Sequence, residues 1–219
     1  SDFQMMVSGH TLLMDQGVPA SFTRDVNGLS GYADRARTAV GFSKDGSTAY
    51  LLTVEENGGR KGVTLKELQQ MLKELGVWKA VNLDGGGSTT MVTRPLGDFQ
   101  TQLAHPTSFG TTQRLVTNGI GVYTTAPQGS LKGIVASGPE TLFIGQQANY
   151  SLKAYDTYYN PIDPNGLTPA WSIDKQLGAF ANGTFQAAKA GSATVSVKSG
   201  SASDSLKLEI VGEAQVAKL

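Results

Sequence analysis

Cysteine is absent from the 219-residue chain, and with it go disulfide frameworks, cysteine-ligated zinc and thiol nucleophiles. Histidine is scarce: only His10 and His105 occur, and no nucleophile-elbow spacing surrounds Ser88, which argues against a Ser/His/Asp triad. An excess of one charge is missing too. Eighteen basic residues balance eighteen acidic ones, so the positive field demanded by nucleic acid or an anionic membrane is not there. No apolar run approaches the roughly 20 residues of a membrane span. The opening Ser1-Asp2-Phe3 is not a charged-then-apolar leader, so the chain reads as a mature piece of a protein. What is present, 39% hydrophobic and 16% charged residues, is the composition of a globular protein.

The Thr124-Thr125-Ala126-Pro127-Gln128-Gly129-Ser130 stretch divides two halves of different pattern. In the first half, Thr38 to Phe42 and Thr48 to Val54 are β-rich runs around Lys44-Asp45-Gly46, the chemistry of a hairpin turn. Thr64 with Glu67 three residues later predicts a capping box. It opens a helix whose apolar stripe is Leu65, Leu68, Leu72 and Leu75, ending at Gly76. Ala80 to Asp84 reads as a short buried strand that delivers Asp84 to its carboxyl end. Thr90 to Thr93 resumes β-type residues, Pro95 to Thr112 reads as a surface loop and Val116 to Tyr123 as a further strand. In the second half, Tyr150 to Tyr155, Ala193 to Lys198 and Ser205 to Val211 suit a half-buried antiparallel sheet.

The chemistry concentrates in Asn82-Leu83-Asp84-Gly85-Gly86-Gly87-Ser88-Thr89-Thr90. Three glycines allow a ligand to approach the backbone and aim N–H groups at an anion, with hydroxyls from Ser88 and Thr89 alongside. A hairpin tip with a capping aspartate would look similar. No lysine follows the glycines and no helix opens on them, so Walker and dinucleotide sites do not fit.

Four stretches in order carry a resemblance to the phosphodiester glycosidase family related to the uncovering enzyme. They are Arg37-Thr38-Ala39-Val40-Gly41, Gly62 through Gly76, Asn82 to Thr90, and Gln113 through Ile120. The resemblance implies hydrolysis of the bond between an N-acetylhexosamine and a phosphate; no cofactor and no metal are expected from the sequence. Arg37 and Arg114 would clamp the phosphate bidentately, as guanidinium groups suit. Gly85, Gly86, Gly87, Ser88 and Thr89 would bind its remaining oxygens, with Asn82, Thr38 and Asn118 in the substrate site. Asp84 would face the anomeric carbon as base, nucleophile or electrostatic stabiliser, with Glu55 or Glu56 a candidate second carboxylate. The resemblance also implies an amino-terminal part of the family domain preceding Ser1, so that the sheet would be completed from outside this stretch.

Residues 131–213 resemble the bacterial Ig-like family in Gly145-Gln146-Gln147, Trp171-Ser172-Ile173, Asn182-Gly183-Thr184-Phe185 and Ala190 to Val195. The expected fold is therefore α+β over residues 1–126, a mixed sheet with helices, followed by an all-β Ig-like sandwich over 131–213. Such a module implies a secreted protein or one on a bacterial cell surface, with a sugar-phosphate or cell-wall polymer as partner. The alternative is a non-catalytic, glycopolymer-binding surface scaffold. Asp156, Asp163 and Asn165 approach the composition of a calcium site, but turn chemistry explains them as well.

Overall fold

The computed structural model describes residues 7–212. The described residues are β-rich with one α-helix, and the chain divides into two compact units: Ser1–Thr93 with Gln102–Gly121, and Arg94–Thr101 with Val122–Leu219.

The first unit holds strands β1 (Thr11–Asp15), β2 (Val18–Pro19), β3 (Arg37–Phe42), β4 (Ala49–Val54) and β5 (Lys79–Asn82), with helix α1 (Leu65–Glu74) and a short ribbon of β6 (Val92–Thr93) and β7 (Gln102–Leu103). The five-stranded sheet runs β2-β1-β5-β3-β4, and every pairing in it is antiparallel. The mixed sheet with several helices expected from the sequence is corrected accordingly.

The β3–β4 hairpin forms as its turn chemistry predicts, with Arg37 opposite Val54 and Phe42 opposite Ala49. Gly46 adopts a φ of 73°, and the Asp45 carboxylate accepts from Ser43 Oγ at 2.6 Å and from the Ser47 backbone at 3.1 Å. Thr64 and Glu67 close a full capping box on α1: Glu67 N donates to Thr64 Oγ1 and Thr64 N donates to the Glu67 carboxylate. Leu65, Leu68 and Leu72 are buried against Leu13, Met14, Val26, Ala39, Val77 and Ala80. Leu75 is not part of this face; it caps the helix and is 50% exposed. Gln69 is buried instead, its amide donating to the carbonyls of Leu13 and Ala20. A register shift between Leu12 and Met14 breaks the alternation of β1, which is how the adjacent Leu13 and Met14 both face the core.

Along β3 the buried positions are Arg37, Ala39 and Gly41, on the face that α1 covers, while Thr38 and Val40 point to the other. Asn82 stands opposite Ala39 and Thr11 in the ladder and shares the covered face. The segment expected as a strand from Val116 to Tyr123 has no regular structure; Val116, Val122 and Tyr123 are all exposed.

The second unit contains β8 (Leu131–Ser137), β9 (Thr141–Phe143), β10 (Gln147–Asn149), β11 (Ser151–Asp156), β12 (Pro161–Ile162), β13 (Ala170–Ile173), β14 (Gly178–Ala181), β15 (Thr184–Ala187), β16 (Gly191–Ser199) and β17 (Ala202–Val211). They form sheets ordered β12-β11-β8, β10-β15-β14 and β13-β16-β17-β9, the last closed by a parallel β17–β9 pair. Tyr150, Trp171, Phe180 and Phe185 pack at ring separations of 5.0–6.5 Å. The Asn182-Gly183 turn has φ of 50° and 81°, the two positive values a type I′ hairpin needs.

Candidate active site

Strand β5 ends at Asn82 and the chain turns at once through Asp84, Gly85 and a single 3-10 turn over Gly86–Ser88. Two of the glycines have distinct structural reasons. A Cβ on Gly85 would stand 2.8 Å from the Ala36 carbonyl oxygen, and Gly86 has a φ of 56°. Gly86 N donates to that same Ala36 carbonyl at 2.8 Å, so the turn is bound to the start of β3. Ser88 N and Thr89 N close the turn on Gly85 and Gly86, while the N–H groups of Gly85 and Gly87 find no partner among the described residues. Those two donors are available to an anion.

Asn82, Asp84, Gly85 and Gly86 line one cleft of about 530 Å³ with His10, Ser30, Arg35 and Arg37. Asp84 is exposed and accepts no hydrogen bond from the described residues. Asn82 is 5% exposed; its Nδ2 donates to Leu83 O, and its Oδ1 has no hydrogen-bond partner among the described residues. His10 N donates to Asn82 O, which brings one of the two imidazoles to the rim.

Arg37 reaches the cleft wall but its guanidinium is occupied. Nε donates to Val63 O at 2.9 Å, Nη1 to Leu29 O at 3.2 Å, and Nη2 to Ser30 O and Ala33 O at 2.7 and 2.8 Å. Four of its five donors thus hold backbone carbonyls, and Ser30 is held with a positive φ of 49°. Burial pushes the Arg37 pKa below its usual value, and the neighbouring Arg35 charge acts in the same direction.

A profile of the family described as phosphodiester glycosidase matches residues 1–123. The chain belongs to this family. It is 43% identical over 72 residues to the N-acetylglucosamine-1-phosphodiester alpha-N-acetylglucosaminidase of Bos taurus and 39% identical over 72 residues to that of Mus musculus. Each alignment takes in 33% of this chain, which spans 12% and 13% of the length of those relatives. Among solved structures, a hypothetical protein from Synechocystis aligns at TM-score 0.30 and 31% identity, covering 36% of this chain and 15% of the other. The zebrafish N-acetylglucosamine-1-phosphodiester alpha-N-acetylglucosaminidase catalytic domain, auto-inhibited by its pro-peptide, aligns at TM-score 0.31 and 31% identity, covering 38% and 31%. Glycosidase-type hydrolysis is the activity of the family.

Within the phosphodiester glycosidase domain the remaining sequence-derived site residues scatter around the turn. Thr89 is buried and shares a hydrogen bond with Thr38 at 3.2 Å on the face of β3 opposite Arg37. Arg114 is exposed, and its Nη1 lies 3.7 Å from where a Gly87 Cβ would stand, beside the Phe109 ring. Gly87, Ser88 and Asn118 do not line the cleft, and Asn118 is exposed. The two glutamates part company. Glu55 pairs with Arg60 at 2.8 Å and lies 3.9 Å from His105 Nδ1, while Glu56 accepts from Ala36 N at 3.0 Å and from Arg35 at 3.3 Å. Thr53 Oγ1 sits 2.7 Å from His105 Nε2, well away from the cleft lining. Sequence reasoning passed over Arg35, which differs from Arg37 only in lying outside the β-rich run. It also passed over the carbonyls of Leu29, Ser30 and Ala33, which have no side-chain signature.

Asp156 accepts backbone N–H groups from Gly129, Tyr158 and Asn160, and Asp163 caps the turn at Asn165. Both are turn carboxylates.

Proposed function

We propose that the cleft at the end of β5 hydrolyses the glycosidic bond between an N-acetylhexosamine and a phosphate. The observation that carries this reading is the meeting of a free carboxylate, Asp84, with the unused N–H of Gly85 and an arginine-rich wall in one concavity. Phosphate is already a good leaving group, so anion binding contributes more than a strong general acid. In the proposed step an oxygen nucleophile bonds to the anomeric carbon as the bond from that carbon to the phosphate oxygen breaks. The electron pair leaves on phosphate, held by the glycine turn and cationic side chains, with Arg114 approaching from the Gly87 side. Asp84 either takes the proton from the attacking water, or itself captures the anomeric carbon in an ester that a water then hydrolyses, returning the carboxylate and releasing the sugar. No cofactor enters.

The finer assignments belong to the same proposal. Residues 1–126 form the α+β catalytic portion, and residues 131–213 an Ig-like sandwich that holds it at a bacterial surface or in the secreted state. The type I′ Asn182-Gly183 hairpin and the long β16–β17 pair support the second assignment. The curated relatives are named for N-acetylglucosamine-1-phosphodiester, which makes a sugar-1-phosphodiester or a phosphate-linked cell-wall polymer the substrate to try first.

The test is sugar release by the full-length protein from uridine diphosphate N-acetylglucosamine and from a simple sugar-1-phosphodiester. Asp84→Asn should lower turnover about 10²- to 10⁴-fold with binding retained. Silence of the wild type where the bovine enzyme releases sugar, together with equal polymer binding by wild type and Asp84→Asn, would replace the enzyme with a glycopolymer-binding scaffold.

A further inference from the structure

The two arginines of the cleft are two residues apart and have opposite hydrogen-bonding states. Arg37 is spent on four backbone carbonyls. Arg35 has a half-exposed side chain that makes one contact, Nη1 to Glu56 Oε1 at 3.3 Å, leaving four of its donors without a partner among the described residues.

The Arg35 backbone is fixed from three directions. It exchanges hydrogen bonds with Val63 at 3.2 and 2.9 Å, and Gly62, at φ 80°, packs so closely on the Arg35 carbonyl that a Cβ there would come within 2.1 Å of it. The next residue, Ala36, donates its N–H to Glu56 and accepts the N–H of Gly86 through its carbonyl. Glu56 therefore grips the guanidinium of Arg35 with one oxygen and, with the other, the N–H of Ala36, the residue whose carbonyl supports the glycine turn. A single carboxylate sets the spacing between a cation and the turn that carries free N–H donors.

We infer that Arg35, positioned by Glu56, is the cation that binds the substrate phosphate, and that Arg37 is a scaffold residue. The inference rests on the phosphate reading of the cleft. Two guanidinium groups of like charge line this wall. They repel each other, with Glu56 and Asp34 offsetting part of the repulsion, and an anion seated beside Arg35 relieves the remainder while gaining planar, bidentate donors. Glu56 touches no substrate and acts as a positioning residue.

The experiment measures competitive inhibition by inorganic phosphate and steady-state kinetics on a sugar-1-phosphodiester for full-length wild type, Arg35→Ala, Arg35→Lys and Glu56→Gln. Direct phosphate binding is followed in parallel, and melting curves confirm folding. Arg35→Ala should weaken phosphate and raise KM about 10- to 100-fold, the size of one or two charge-assisted hydrogen bonds. Added guanidinium ion should restore part of the loss, which a structural defect would not allow. Glu56→Gln should shift KM in the same direction by less, with kcat changed less than KM. Phosphate affinity in Arg35→Ala equal to that of an active wild type overturns the assignment. A wild type that neither binds phosphate nor turns over the diester overturns the phosphate reading itself and this inference with it.

Discussion

The loop around Asp84 in the first unit and the loop around Asp156 in the second are both tight turns led by an aspartate, yet their carboxylates are in opposite states. Asp156 is fully buried and accepts three backbone N–H bonds of 2.7–2.8 Å. Asp84 is exposed, and among the described residues nothing donates to it. Burial pushes the Asp156 pKa up, but the hydrogen bonds from Gly129, Asn160 and Tyr158 outweigh it and hold the group below its usual value. A saturated acid has been given a structural task, whereas an acid left open beside unused N–H donors is available to a ligand. Arg37 and Arg35 repeat the contrast with the sign of charge reversed.

The sharpest break in that contrast comes from the arginines. Replacing Arg37 by Met removes the side-chain donors to four part-buried carbonyls; Val63 O and Ser30 O keep the N–H groups of Arg35 and Ala33, but Leu29 O and Ala33 O are left without a donor among the described residues. The expected cost is about 2 kcal/mol, at the low end of the roughly 1–3 kcal/mol for each group left unpaired because the two carbonyls are only partly buried. Arg35→Met, at a half-exposed position, should shift stability by less than about 0.5 kcal/mol. Urea unfolding followed through the first unit distinguishes them; equal losses would erase the division between scaffold and ligand-binding arginine.

The aspartate pair comes next. Asp156→Asn turns one acceptor into a donor that faces a backbone N–H, and the second unit's melting temperature should fall by roughly 5 °C. Asp84→Asn should leave melting unchanged while removing turnover. If Asp84→Asn instead destabilised the first unit by as much, its carboxylate would be a turn cap like that of Asp156.

How far this was legible in the sequence follows the range of the interactions. The capping box of Thr64 and Glu67, the Lys44-Asp45-Gly46 hairpin and the Asn182-Gly183 turn are set by neighbours a few residues apart, and they formed where the sequence put them. Asp84 and the glycines were visible because an aspartate followed by three glycines is conspicuous by itself, although the close approach that requires Gly85 is to Ala36, far away along the chain. The role of Arg37 was not, because it depends on which face of β3 turns inward. There the small residues Ala39 and Gly41, not Val40 and Phe42, lie under α1. The segment from Val116 to Tyr123 has strand-forming residues but no ladder among the described residues, and propensity without a paired neighbour does not make a strand. Leu75 keeps the helical period but falls at the cap, past the last turn that touches the sheet.

The smallest effect concerns a third aspartate, Asp45, which lies between the extremes: it is exposed like Asp84 but hydrogen-bonded like Asp156. The hydroxyl of Ser43 first, then the backbone and hydroxyl of Ser47, lower its pKa from 3.8 to about 2. A depressed folded-state value means that ionised Asp45 favours the hairpin at any pH above the unfolded pKa. The contribution then declines as pH falls through the window from about 4 to about 2 and is lost only below it, where both states are protonated. Wild type minus Asp45→Asn should therefore show a stability difference that is flat from neutral pH down to about 5 and shrinks across that acid window, measured by melting at low salt. A difference that persisted unchanged below pH 2 would mean that the Ser43 and Ser47 bonds survive protonation, and that hydrogen bonding alone, without charge, holds the turn.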